Sequence, residues 1–171
     1  MLRREITLSI FTFTLIFLIQ EAIFNQIRLP FGGFSLILLA ALLWSSISEP
    51  EIAAVTGFIA GILMDLSPSN EGFLGHWTLV VVISCFVISY LSYGNESLNS
   101  NPTVSILLTA TLVIATIFIY LIIGVIFGLV IGTFTNVLQL LLGFGLWSAL
   151  MSPIVVPFIA KAHAFVYKGI Q

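Results

Sequence analysis

Between Glu96 and Lys161 the chain carries no formally charged side chain. That stretch holds more apolar chain than one crossing of a roughly 30 Å hydrocarbon core needs, at about 20 residues per helix. In water nothing in it could keep a folded surface wet. Over all 171 residues, 60% are hydrophobic and 7% charged, where a soluble domain carries about 25% charged residues. The same composition excludes disorder, because disordered chains are poor in apolar residues. The sequence reads as an all-α polytopic membrane protein, one transmembrane domain over residues 1–171 with about six helices. Six spans use roughly 120 positions, so neither a catalytic nor a nucleic-acid-binding domain outside the membrane is expected. A net charge of −2 offers no basic footprint for nucleic acid. The single cysteine, Cys85, lies in an apolar run and reads as a buried thiol. The start, Met1 to Ile19, has the charge and apolar core of a signal peptide. It lacks a small-x-small cleavage site, and so is expected to stay as the first span.

The spans are predicted at about 6–24, 34–47, 51–66, 73–91, 104–131 and 137–160. Span two is short for a straight crossing and is expected to recruit flanking residues or to sit in thinned bilayer. Glu49-Pro50 has the pattern of a helix start, since Pro suits the first helical position. Pro30 to Gly33 and Ser67 to Gly72 are turns, and Ser92 to Pro102 is the longest polar connection. The break between spans five and six is predicted at Gly132 to Asn136, with Gly143-Phe144-Gly145 as the rival position. Pro153 and Pro157 should kink span six. With six spans, Arg3, Arg4, Lys161 and Lys168 fall on one side and Arg28 on the other. The excess of Lys and Arg on cytoplasmic loops then places both termini in the cytoplasm.

Span three carries Ala53, Gly57, Gly61 and Asp65 at intervals of four, which aligns them as one shallow ridge of small side chains. In lipid such a face lets another helix approach closely. An acid at the hydrocarbon boundary is expensive and marks a functional candidate. Asp65 stands at the end of its helix, where the macrodipole disfavours an anion, so a separate benefit must exist. Two are open: hydrogen bonds from the backbone of Leu66 to Ser69, or a cation such as Arg28 or His76. A second ridge is read at Gly124, Gly128 and Gly132 in span five. Gly72, Gly75 and Trp77 join the packing or partner-interface candidates, with Trp77 an interfacial anchor. Glu21, Arg28, His76 and Asn136 are outer-side polar candidates. Two histidines and one cysteine without ligand spacing support no metal site. No phosphate-binding, metalloprotease or nucleophile-elbow motif occurs, so neither an enzyme nor a cofactor is expected.

Gly57-x3-Gly61-x3-Asp65-Leu66, a Pro/Gly turn, and then Leu74-Gly75-His76-Trp77-Thr78-Leu79 resemble the central signature of MreD, the rod-shape-determining membrane protein of bacteria. Pro30-Phe31-Gly32-Gly33 resembles the first outer loop of that family, and Gly75-x-Trp77 looks most like the actinobacterial form. Where many members continue with Pro-Asp, this chain has Phe34-Ser35, so any role of that acid lacks a carrier here. The resemblance implies a noncatalytic scaffold subunit of the cell-wall elongation complex in the plasma membrane. MreC would be its direct partner, with RodA, a class B penicillin-binding transpeptidase and MreB in the same assembly. It also implies a six-helix fold like the substrate-binding subunits of energy-coupling-factor transporters. The alternative function is then a vitamin-type binding subunit, with its ligand among Glu21, Asp65, His76 and Asn136.

Overall fold

A computed structural model of the chain describes residues 2–26, 33–68, 70, 72–92, 102–130 and 132–168. Arg28, the turn residues 30–32, Glu71 and the polar connection 93–101 lie outside the described residues. Among the described residues the protein is all-helical: α1 (Leu2–Ala22), a 3-10 turn (Phe24–Gln26), α2 (Leu36–Ser46), α3 (Pro50–Asp65), α4 (His76–Ser92), α5 (Pro102–Ile126) and α6 (Phe134–Lys168).

The helix ends follow local chemistry. Ser35 caps α2, its side chain accepting from the Leu38 N–H. Pro50 opens α3 at a position where a missing N–H costs nothing, and Glu51 in the first turn suits the positive end of the helix dipole. α5 stops at Ile126 because Gly128 takes φ of +85°, a conformation that side chains oppose. Gly128 N–H then bonds to Val125 O at 3.0 Å and Leu129 N–H to Gly124 O at 2.8 Å, the paired bonds of a Schellman stop. The break between the last two helices therefore lies at Phe127 to Thr133, several residues before the predicted one. The rival break at Gly143 to Gly145 is interior to α6, where Gly145 lets Ile114 of α5 approach. α6 runs through Pro153 and Pro157 and past Ala160 to Lys168, well beyond the predicted end.

Among the described residues, helices α5 and α6 are the two long and apolar enough to cross a membrane, at Ile106–Ile126 and Phe134–Tyr167. At 1.5 Å per residue α1 spans about 31 Å, α3 and α4 about 25 Å each, and α2 only about 16 Å. The short α2 is the centre of the bundle. It packs against α1, α3, α4, α5 and α6, and Leu38, Leu39, Ala40, Ala41 and Trp44 are all fully buried. A helix that is apolar all round must be kept from water on every side, and here the other helices do so. Trp44 anchors the centre by edge contacts with Phe13 at 5.5 Å and His163 at 5.0 Å. His163 Nε2 also lies 3.0 Å from Ser48 Oγ, and Ser89 Oγ donates to Ser48 O, which ties α6 and α4 to the end of α2.

Around this apolar core the exterior is apolar as well, and several polar side chains are buried. Gln20, Thr56, Asp65, His76, Ser89 and Ser152 are buried, while Phe11, Phe118, Ile126, Leu146 and Phe158 are exposed. Ile6 of α1 and Tyr167 of α6 line the same cavity, so the two ends of the helical array lie together.

Candidate functional site

The ridge on α3 faces inward, against α4. Ala53, Gly57, Ala60, Gly61 and Asp65 are all buried. A methyl group on Gly61 would stand 2.4 Å from Thr78 Cα and 3.0 Å from Thr78 N. On Gly57 it would stand 3.0 Å from Cys85 Cβ and 3.1 Å from Val81 O. The small residues bring the two backbones into contact, so the ridge is an internal packing face and not a partner surface.

That close crossing delivers the end of α3 to the start of α4. The Asp65 carboxylate accepts four hydrogen bonds there: Oδ2 from Gly75 N–H (3.0 Å), Thr78 N–H (3.0 Å) and Thr78 Oγ1 (2.5 Å), and Oδ1 from Trp77 N–H (3.0 Å). The first N–H groups of a helix have no partner within it, and together they form its positive pole. Asp65 is thus poorly placed on its own helix and well placed on the next. The carboxylate serves residues 75–78, ten to thirteen positions away, a role neither sequence option describes; Ser69 and Arg28, named in those options, lie outside the described residues. The Nε2 of His76 lies 3.1 Å from Tyr120 O.

Gly75 enters α4 at φ of +90° with nothing within 4 Å of a would-be Cβ, so its glycine is required by conformation and not by space. Gly75→Ala is expected to lower stability by about 1–2 kcal/mol, and Gly75→Asn, which tolerates this conformation better, by less. Unfolding of the detergent-solubilised protein by SDS, followed by tryptophan fluorescence, measures both; equal losses for the two would oppose the conformational explanation.

Trp77 is half-buried and stacks on Tyr120 at 4.1 Å, and His76 stacks on Tyr120 at 4.0 Å. Trp77 therefore packs α4 against α5. Gly72 donates its N–H to Asn70 Oδ1 at 2.9 Å, and a Cβ there would meet Tyr120 Oη at 2.9 Å. The second ridge does not exist as a helix face. Gly124 is buried in α5 beside His76 and Leu129, Gly128 forms the helix stop, and Gly132 lies beyond it against Asn136.

Glu21 accepts from Ser67 Oγ and, with Gln20, Asn70, Trp77 and Phe144, lines a cavity of about 280 Å³. Asn136 is exposed and lines a different cleft with Tyr120 and Gly124. Asp65 is committed to α4 and His76 to Tyr120. The four outer-side residues expected to surround one ligand are thus divided, and Arg28 lies outside the described residues.

Reading the sequence alone misses Thr78, which gives Asp65 a hydroxyl as well as an N–H. It also passes over the structural use of buried Gln20, which bonds Phe34 O and Leu36 N–H and so ties α1 to the start of α2. Neither has a periodic signal; each is a single polar side chain answering orphan backbone groups elsewhere in the chain. Among the described residues no three His, Cys, Asp or Glu side chains gather in a way that could hold a metal ion. What the α3–α4 junction does is mechanical: it locks two helices with one carboxylate in a setting where unpaired N–H groups are costly. The chain matches no family model, no curated protein and no solved structure.

Proposed function

We propose that the chain is a noncatalytic multi-pass membrane subunit that acts as a scaffold of the MreD type in the bacterial wall-elongation machinery. Its six helices form one bundle in the plasma membrane, α2 being buried among the others, with both termini in the cytoplasm. The apolar exterior, with polar side chains such as Gln20, Asp65 and His76 buried, supports the membrane setting, and the shared cavity of Ile6 and Tyr167 supports placing both chain ends on one side. The observation that carries the reading is the α3–α4 junction. The residues that resemble the family signature, Gly57 to Thr78, form one unit in which ridge, acid and glycine step hold each other in place. Such a motif builds a rigid body and presents no reactive group, as a scaffold requires. MreC is the direct partner in this reading, with RodA, a class B transpeptidase and MreB in the wider assembly.

Purification from native membranes in mild detergent tests it. MreC is expected to accompany the protein at a constant ratio through two chromatographic steps. Recovery of an ATPase module in its place would identify a transporter subunit and overturn the scaffold reading.

A further inference from the structure

One face of α3 is used against α4, and the opposite face is uncovered. Glu51, Val55, Phe58 and Ile62 are exposed along it, at intervals of four, three and four. Those intervals keep the four side chains on one side of the helix, where they form a continuous stripe. At the α3 start the stripe runs into a cavity of about 300 Å³, walled by Ser9 of α1, Tyr167 of α6 and Glu49, Glu51, Ile52 and Thr56 of α3.

Two features of this cavity are unexplained by the fold. Ser9 is 3% exposed, and its hydroxyl has no hydrogen-bond partner. A buried hydroxyl left unpaired is destabilising. Glu49 and Glu51 are exposed at the rim. The dipole of α3 accounts for an acid in its first turn. It accounts neither for a second acid that makes no cap bond nor for the orphan hydroxyl behind it.

We propose that this cleft receives a lysine or arginine side chain from the cytoplasmic end of a partner's transmembrane helix lying along α3. Such helices carry Lys or Arg at their cytoplasmic ends as a rule. Their long apolar stems lie against walls such as Ile52 and Val55 while the cation reaches the carboxylates. An N–H of the cation donates to Ser9 Oγ, which supplies the missing partner. The apolar part of the partner then covers Val55, Phe58 and Ile62. The inference rests on the orientation proposed above and adds the chemistry of the partner and the place where it docks.

The test is photocrosslinking in native membranes with benzoylphenylalanine at Val55, and at Phe118 of α5 as the control. From Val55 the expected adduct is a polypeptide whose crosslinked segment carries Lys or Arg within one helical turn. Glu49→Gln with Glu51→Gln should lower its yield about tenfold and leave the Phe118 pattern unchanged. Glu49→Lys with Glu51→Lys should recover the yield when the partner's base is changed to Glu. Should the double variant not accumulate, Ser9→Ala carries the same test, with a loss of about threefold. A phospholipid adduct, a second copy of this chain, a segment without Lys or Arg, or a yield indifferent to these changes overturns the proposal. MreC recovered on purification with only lipid crosslinked at Val55 removes the cleft and keeps the scaffold. A basic-ended helix other than MreC at Val55, with no MreC on purification, does the reverse.

Discussion

Asp65→Ala is expected to be among the most damaging single substitutions in this chain, lowering stability by about 3–5 kcal/mol. The change leaves Gly75, Trp77 and Thr78 N–H groups and the Thr78 hydroxyl without their acceptor at a partly buried helix start. Each buried donor left unpaired costs about 1–3 kcal/mol, and the apolar surroundings offer little water to replace the carboxylate. Asp65→Asn should lose roughly half as much, because it keeps one acceptor oxygen but turns an NH2 toward groups that themselves donate. Thr78→Val removes only the hydroxyl contact and should cost about 1 kcal/mol. The midpoints of SDS unfolding order the three variants. A wild-type midpoint for Asp65→Ala would mean that the carboxylate does not cap α4.

The ridge was legible in the sequence and its target was not. Intervals of four between Ala53, Gly57, Gly61 and Asp65 define a face whatever packs on it. Nothing in the spacing tells an inward face from an outward one, because lipid and protein interior are both apolar. The acceptor role of Asp65 spans a turn of ten residues, and no local pattern reports that distance. The second ridge failed for a different reason. Gly124, Gly128 and Gly132 have the same interval, but glycine serves both close packing and the left-handed helix stop. Periodicity cannot separate those two uses. The central place of α2 was equally hidden, since an apolar run of this length reads as a span whether lipid or other helices surround it. Lys161 marked the predicted end of span six, yet α6 continues through it: a charge ends the apolar stretch, and a helix does not have to end there.

Gly61→Leu is expected to disrupt the bundle more severely than Cys85→Ala, and the reason lies in what each residue touches. The nearest atom to a Cβ on Gly61 is a backbone carbon, Thr78 Cα at 2.4 Å, with Thr78 N at 3.0 Å. No side-chain rotation relieves a clash with backbone, so α3 and α4 must separate. Even Gly61→Ala should cost about 2–3 kcal/mol, and leucine is expected to prevent accumulation of the folded protein. Cys85→Ala removes one buried sulfur and leaves a small void, at about 1 kcal/mol. Gly57→Ala falls between, because its neighbours at 3.0–3.1 Å need shift only slightly. Separation at Gly61 also draws Thr78 away from Asp65, so ridge and cap must be coupled. Gly61→Ala combined with Asp65→Asn should therefore lose less than the sum of the two alone, by about 1 kcal/mol in a double-mutant cycle. Strict additivity would show that the helix crossing and the carboxylate cap act separately, and that the α3–α4 junction is not one unit.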